Sequence, residues 1–501
     1  MIVERNPWPA LGALIAGFSL IILDMSVVAV ANPAITESFD TSVSQVIWVT
    51  SAYLLTYAAP LLFTGRLGDR FGAKNVYLIG LAVFTLSSLW CGVSGSIGML
   101  IAARAVQGLG AALMTPQTMA VITKIFPADK RGAAMGVWGG SSGIFLLLGP
   151  VVGGLLVDSV GWEWIFLVNV PIGIVAFALA WKLVPTLPTE DHKFDPVGIL
   201  LSCAGMFLLV YGLQEGNNKD WDAGIWLMIG GGLAVLALFV FTQARTRNQP
   251  LLLLSLFRDR NFSLANIGIA CMGAAVTAWT VPAYFYLQGV RGLTAAESAL
   301  VFAPLAIMTG VAAPFVGKMS DKLHPRIFTT MGFTVFTVAI AVFAVLMTPD
   351  SPLWVFSTVA GVTGIANAMC WGPLAATATR NLPVHQAGAG SGIYNTMRQM
   401  GSVLGSAVVG SLLVDRIAAH LPGAGGHAKS FEGSPSAVPD FLHEPYAKAL
   451  SETSLLPSAF LAVGALACVL FVKFPEKAAA PEAPAVARET ADDVVSGGAA
   501  G

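Results

Sequence analysis

Three charged side chains lie well inside long apolar runs of this sequence: Asp24, Arg104 and Arg398. Asp24 interrupts LIILDMSVVAVANPAI, residues 20–35. A charge at mid-bilayer costs about 2.5–3.5 kcal/mol on insertion scales, so such a residue marks a functional site by default. A carboxyl there can hold either a proton or a cation. At about 1.5 Å per helical residue, Asp24 sits about 10 Å below the outer end of the first run. Arg104 lies about 10 Å below the same surface on the fourth run. Opposite charges therefore share a layer. A proton reaching Asp24 and a substrate reaching the same place can displace one another, which is antiport by competition. The alternative is a static structural ion pair, an expensive way to join two helices.

The elements that must position these residues are membrane helices. The chain of 501 residues is 55% hydrophobic and 11% charged, with a mean hydropathy of +0.74. A soluble domain carries about 25% charged residues. Fourteen apolar cores are long enough to span a bilayer: 9–31, 46–64, 75–94, 97–120, 133–157, 164–184, 197–214, 223–242, 263–286, 297–316, 327–347, 353–376, 388–413 and 455–473. The run from Trp8 is too long for a signal-peptide core and reads as the first span. Charge placement agrees with this reading. Of 27 Lys and Arg, only Lys219, Arg291, Arg416, Lys429 and Lys448 fall in connections assigned to the outside, and Arg104 and Arg398 lie within spans. The rest fall inside when the N-terminus is cytoplasmic. Both termini are then cytoplasmic.

The connection GRLGDRFGAK (65–74) has a counterpart, GKMSDKLHPR (317–326), with Gly and Asp at the same spacing. Both follow an outside-to-inside span, so the repeat is parallel. Parallel repeats suggest two pseudo-symmetric bundles around a central site, which is transporter architecture.

At this point the sequence resembles a known family. GRLGDRFGAK resembles the loop signature of the major facilitator superfamily, LIAARAVQGLGAA (100–112) its span-four antiporter motif, and LGPVVGG (148–154) its span-five antiporter motif. GWEWIFLVNVPIG (161–173) and LDMSVVAVANP (23–33) are similar to signatures of the fourteen-helix drug:proton antiporters, the EmrB/QacA type. Ser26, Ala29, Asn32, Phe145 and Glu163 depart from that pattern. The resemblance implies an all-α membrane protein with the major facilitator fold: two six-helix bundles plus two extra central helices, fourteen transmembrane helices in all. The expected division is an N-terminal bundle over 1–185, two linker helices over 186–245 and a C-terminal bundle over 246–475. That last bundle includes a long outside loop, 414–454, and a disordered cytoplasmic tail follows over 476–501.

In the family's fold the helices of Asp24 and Arg104 line the central cavity, so contact between them is implied and proton coupling is expected there. Gly65, Asp69, Arg70, Gly72 and Lys74 are expected to form a charge latch at an inner gate, against a plain topology-setting loop. Gly149, Pro150, Gly153 and Gly154 read as a pliable joint, because glycines permit close helix approach and proline deletes a helix hydrogen bond. Ordinary small-residue packing is the alternative. Arg398, Trp279, Tyr284, Phe285, Tyr286 and Trp371 are possible cavity residues.

Other chemistries find no support in the sequence. GGSSG (139–143) fits a nucleophile elbow formally, but that motif needs a strand-to-helix turn. The sequence contains no phosphate-binding G-x-x-x-x-G-K-[ST] and no H-E-x-x-H. The five cysteines lie in apolar stretches without metal-ligand spacing, and all six histidines fall in polar connections. No catalytic residue, metal or cofactor is expected. The expected protein is a monomeric, proton-coupled exporter of small amphipathic compounds in a bacterial cytoplasmic membrane. Its partners are a small-molecule substrate, protons and the lipid bilayer, with no nucleic acid. Two alternatives stay open. One is export of an endogenous lipid, siderophore or self-made antibiotic on the same fold. The other is a polytopic membrane enzyme or a transport-inactive sensor.

Overall fold

Every backbone N–H and C=O in hydrocarbon needs an internal partner, which long apolar sequences meet by forming helices. The computed structural model describes residues 6–472 apart from 42, 128–129, 190–194, 217–218, 247–249, 323 and 422–438. The helices are α1 (Trp8–Ser38), α2 (Val43–Ala58), α3 (Leu61–Phe71), α4 (Ala73–Gly92), α5 (Ile97–Ile125) and α6 (Arg131–Val160). Next come α7 (Trp164–Leu167), α8 (Asn169–Leu183), α9 (Pro196–Glu215), α10 (Ala223–Arg245), α11 (Arg260–Phe285) and α12 (Ala295–Val301). The last are α13 (Ala303–Lys322), α14 (Pro325–Val345), α15 (Leu353–Arg380), α16 (Ala387–His420), α17 (His443–Ser454) and α18 (Leu456–Val469). Among the described residues 12 spans are long and apolar enough to cross a membrane, or 13 if the bent pair α2–α3 counts as one. The 30-residue α6 runs through the expected core 133–157.

Polar caps mark where several helices begin. Ser96, Asp195, Asp222 and Asp259 each accept a backbone N–H three residues ahead, and Thr294 with Glu297 forms a reciprocal capping box.

The structure corrects three expectations. The second span is not one rod over 46–64; it bends by 50° between Ala58 and Leu61. Pro60 has no N–H to continue α2 and stands instead at the N-cap of α3. The connection 65–74 is not a loop, because residues 65–71 form the last turns of α3, and only Gly72, at φ 89°, makes the turn. The outside connection 414–454 is shorter than expected. The helix α16 continues to His420, and α17 begins at His443. The tail 476–501 and the Asp321 side chain lie outside the described residues.

Both copies of the repeat begin at a tight helix crossing. A Cβ at Gly65 would stand 2.5 Å from the Gly388 carbonyl oxygen at the start of α16. A Cβ at Gly317 would stand 2.6 Å from the Gly132 carbonyl oxygen at the start of α6. At each crossing only hydrogen fits between the two backbones.

Candidate functional site

Asp24 lies midway along α1 and Arg104 two turns into α5. Their side chains are fully buried, and Arg104 Nη1 meets Asp24 Oδ2 at 2.5 Å. Gln107, three residues after Arg104 on the same helix, donates Nε2 to Asp24 Oδ1 at 3.0 Å and accepts Arg104 Nη1 at 2.7 Å. Asn169, the first residue of α8, donates to Asp24 Oδ1 at 3.3 Å and to Ser88 Oγ at 3.1 Å. Arg104 Nε donates to the Val49 carbonyl of α2 at 3.1 Å. The guanidinium carbon lies 4.2 Å from the Tyr53 ring centroid. Four helices thus meet around one carboxylate: α1 supplies the acid, α5 a cation and an amide, α8 an amide, and α2 a carbonyl with an aromatic face.

The sequence placed Asp24 and Arg104 in one layer, and the structure brings them into contact. Gln107, Asn169 and Tyr53 were missed. Each was a polar or aromatic residue in an apolar run, and only Gln107 stood one helical turn from a charge. Arg104 Nη2 and Tyr53 Oη are buried without a partner, so the cluster retains unused hydrogen-bonding capacity. An unpaired buried polar atom costs about 1–3 kcal/mol. Loss of the ion pair would leave more of them.

Asp69 occupies the opposite end of the bundle. Its buried carboxylate accepts the backbone N–H groups of Gly388 at 3.1 Å and Ala389 at 3.0 Å, and Lys124 Nζ at 3.2 Å. The two amides belong to the first turn of α16, whose N–H groups lack intrahelical partners and carry the positive end of the helix dipole. Arg70 lies over the Phe71 ring at 5.4 Å, and Lys74 donates to the Trp181 carbonyl at 2.7 Å. Arg66 donates to the carbonyls of Pro250 and Leu251.

Of the glycine set on α6, Gly149 and Gly153 pack against α1, where an added Cβ would meet Ser26 and Val27. Gly154 has open space instead. The Pro150 side chain lies outside the described residues. Ser26, one of the departures from the family pattern, is the residue facing Gly149.

The expected cavity residues divide. Arg398, about three turns into α16, is half-buried and donates Nη2 to Tyr57 Oη at 2.9 Å. Trp371 is half-buried and donates Nε1 to Asn367 Oδ1 at 2.7 Å. Tyr284 and Phe285 are half-buried, with the Tyr284 ring 5.2 Å from Phe302. Trp279 and Tyr286 are corrected to core residues. Trp279 stands edge-on to Phe302, Phe336 and Phe343, and Tyr286 packs on Phe356 while donating to the Thr348 carbonyl at 2.6 Å. Apolar ring surface gains more from such packing than from facing a polar space.

Comparison with known proteins agrees with this architecture. The profile of the Major Facilitator Superfamily matches residues 14–406. An uncharacterized MFS-type transporter of Mycobacterium tuberculosis is 49% identical over 492 residues, covering 98% of this chain and 85% of that protein. The tetracenomycin C resistance and export protein of Streptomyces glaucescens is 33% identical over 431 residues, covering 83% of this chain and 77% of that protein. Among solved structures, the human organic anion transporter MFSD10 superposes with a TM-score of 0.61, covering 91% of this chain and 100% of that one. At 14% identity that likeness speaks of fold alone. The chain belongs to the major facilitator superfamily.

Proposed function

We propose that this protein is a proton-coupled efflux antiporter that exports small amphipathic compounds across a bacterial cytoplasmic membrane by alternating access. The observation that carries this reading is the Asp24–Arg104 pair, fully buried and held by Gln107 and Asn169. A proton on Asp24 removes one charge of the pair and weakens the contacts between α1, α5 and α8. That supplies a two-state element that both proton and substrate can bias. The Asp69 contact with α16 is the second element, a latch whose making and breaking closes or opens the cytoplasmic end. Each proton entering down 100 mV supplies about 2.3 kcal/mol, enough to drive transport without ATP. Relatives include an antibiotic export protein, which supports the outward direction. The reading includes fourteen spans of the EmrB/QacA type, cytoplasmic termini and a monomer.

The test is a panel of amphipathic compounds presented to proteoliposomes under an imposed pH gradient. Uphill movement that stops on adding a protonophore is expected. Movement unaffected by the protonophore, or near-normal in Asp24→Asn, overturns proton coupling.

A further inference from the structure

Asp24 neutralises Arg104, whereas Arg398, also within a span, has no such acid beside it among the described residues. Among the described residues no carboxylate lies within ion-pair distance of it, and the hydrogen-bond partner found there is the neutral hydroxyl of Tyr57. A guanidinium carries five N–H donors in a planar fork. One is used here, and the side chain is only half-buried. The remaining donors are thus neither paired nor sealed away. A charge kept in hydrocarbon without a protein counterion is costly, and such a cation is retained where a ligand completes it.

Its surroundings are those of a receptor. Tyr57 Oη is fixed from the other side by Thr115 Oγ1 at 3.2 Å, so the phenol holds the guanidinium in one orientation. Tyr57 stacks on Tyr53 with ring centroids 6.0 Å apart, and Tyr53 lies against Arg104. The buried hydroxyl of Tyr394, one turn before Arg398, has no partner. One to two turns further along the same two helices is a recess lined by Ser51 and Leu54 of α2, Leu213 and Gln214 of α9, and Val403 and Ser406 of α16. The charge therefore adjoins an aromatic ladder, and the recess further along its helix has apolar, hydroxyl and amide walls. It is on α16, which the Asp69 latch ties to α3.

We propose that Arg398 anchors the anionic group of the exported compound, so that the preferred cargo is an amphipathic monoanion bearing one carboxylate or a comparable oxyanion. The fork of Arg398 matches a carboxylate bidentately, which a lysine ammonium does not reproduce. The direction of movement rests on the export reading above; the anion site does not. Exchange of an outgoing monoanion for an incoming proton moves two charges in the same sense, so an inside-negative potential assists it more than it assists a neutral cargo.

The experiment uses three naphthalene probes of one size that differ in a single substituent: carboxylate, carboxamide or trimethylammonium. Binding to the purified full chain is measured by equilibrium dialysis, and transport in proteoliposomes. The carboxylate is expected to bind at least tenfold more tightly than the carboxamide, and the trimethylammonium more weakly than both. Arg398→Gln is expected to abolish the carboxylate preference while leaving carboxamide affinity within threefold, and Arg398→Lys to restore part of it. Equal wild-type affinities for carboxylate and carboxamide overturn the proposal, as does a preference that survives in Arg398→Gln. Should Arg398→Gln fail to fold, a preference unchanged in Tyr57→Phe and Arg398→Lys alike overturns it. If the carboxylate preference holds but no probe is moved uphill, the export reading fails and the anion site stands.

Discussion

The carboxylate of Asp69 accepts the backbone N–H groups of Gly388 and Ala389, 319 and 320 residues along the chain, and so fastens the end of α3 to the start of α16. A charged acceptor at a helix N-terminus is worth up to about 2 kcal/mol in partly buried geometry. Asp69→Asn removes the charge and keeps the size. We expect it to shift the conformational balance about tenfold toward the state open at this end. Single-cysteine labelling at Leu62 measures that opening; unchanged labelling in the variant would mean the bond does not latch the helices.

Asp24→Asn is expected to abolish uphill export while the protein still inserts. It also leaves Arg104 buried without its counterion, at a cost of about 3–5 kcal/mol. The double variant Asp24→Asn, Arg104→Gln should recover thermal stability but no coupled transport. Recovery of both would assign the pair to packing alone.

The glycines of α6 should separate under a one-carbon change. Gly149→Ala drives a methyl into Ser26 and is expected to lower both thermal stability and export. Gly154→Ala meets nothing and should be tolerated, with activity within twofold of the parent. Pairing Gly149→Ala with Ser26→Gly should restore function. A severe defect in Gly154→Ala alone would show that α1 and α6 approach more closely in another state.

Dications should be poor cargo. Asp24 is committed to Arg104 and two amides, and Arg398 repels a cation in the same membrane interior. Half-buried Trp371 and Tyr284 offer aromatic faces, whose attraction for a monocation is about 0.5–2 kcal/mol. That is too little for a second positive charge. Efflux of a matched mono- and divalent quaternary ammonium pair checks this. Comparable rates for the two, dependent on Asp24, would refute the charge count.

The sequence by itself determined the class of protein and the layer of its central charges. Hydrocarbon imposes a local rule: about 20 apolar residues make a span, and a lone Asp24 or Arg104 inside one is conspicuous. Depth follows from counting residues, so the two could be matched across the bundle without knowing the fold. The repeat of Gly65 with Gly317 was equally visible, and both glycines prove to stand at tight crossings. Rotation of each helix about its axis was not legible. Helices α1 and α5 are apolar on all sides, so no stripe says which face meets a neighbour. Only tertiary structure could therefore bring Gln107 and Asn169 to Asp24, join Asp69 to amides in another part of the chain, and turn Trp279 into a ring cluster. It also decided that Arg398 faces a tyrosine hydroxyl and, among the described residues, no acid. That outcome depends on packing between α2 and α16, which are remote in sequence and share no pattern that pairs them.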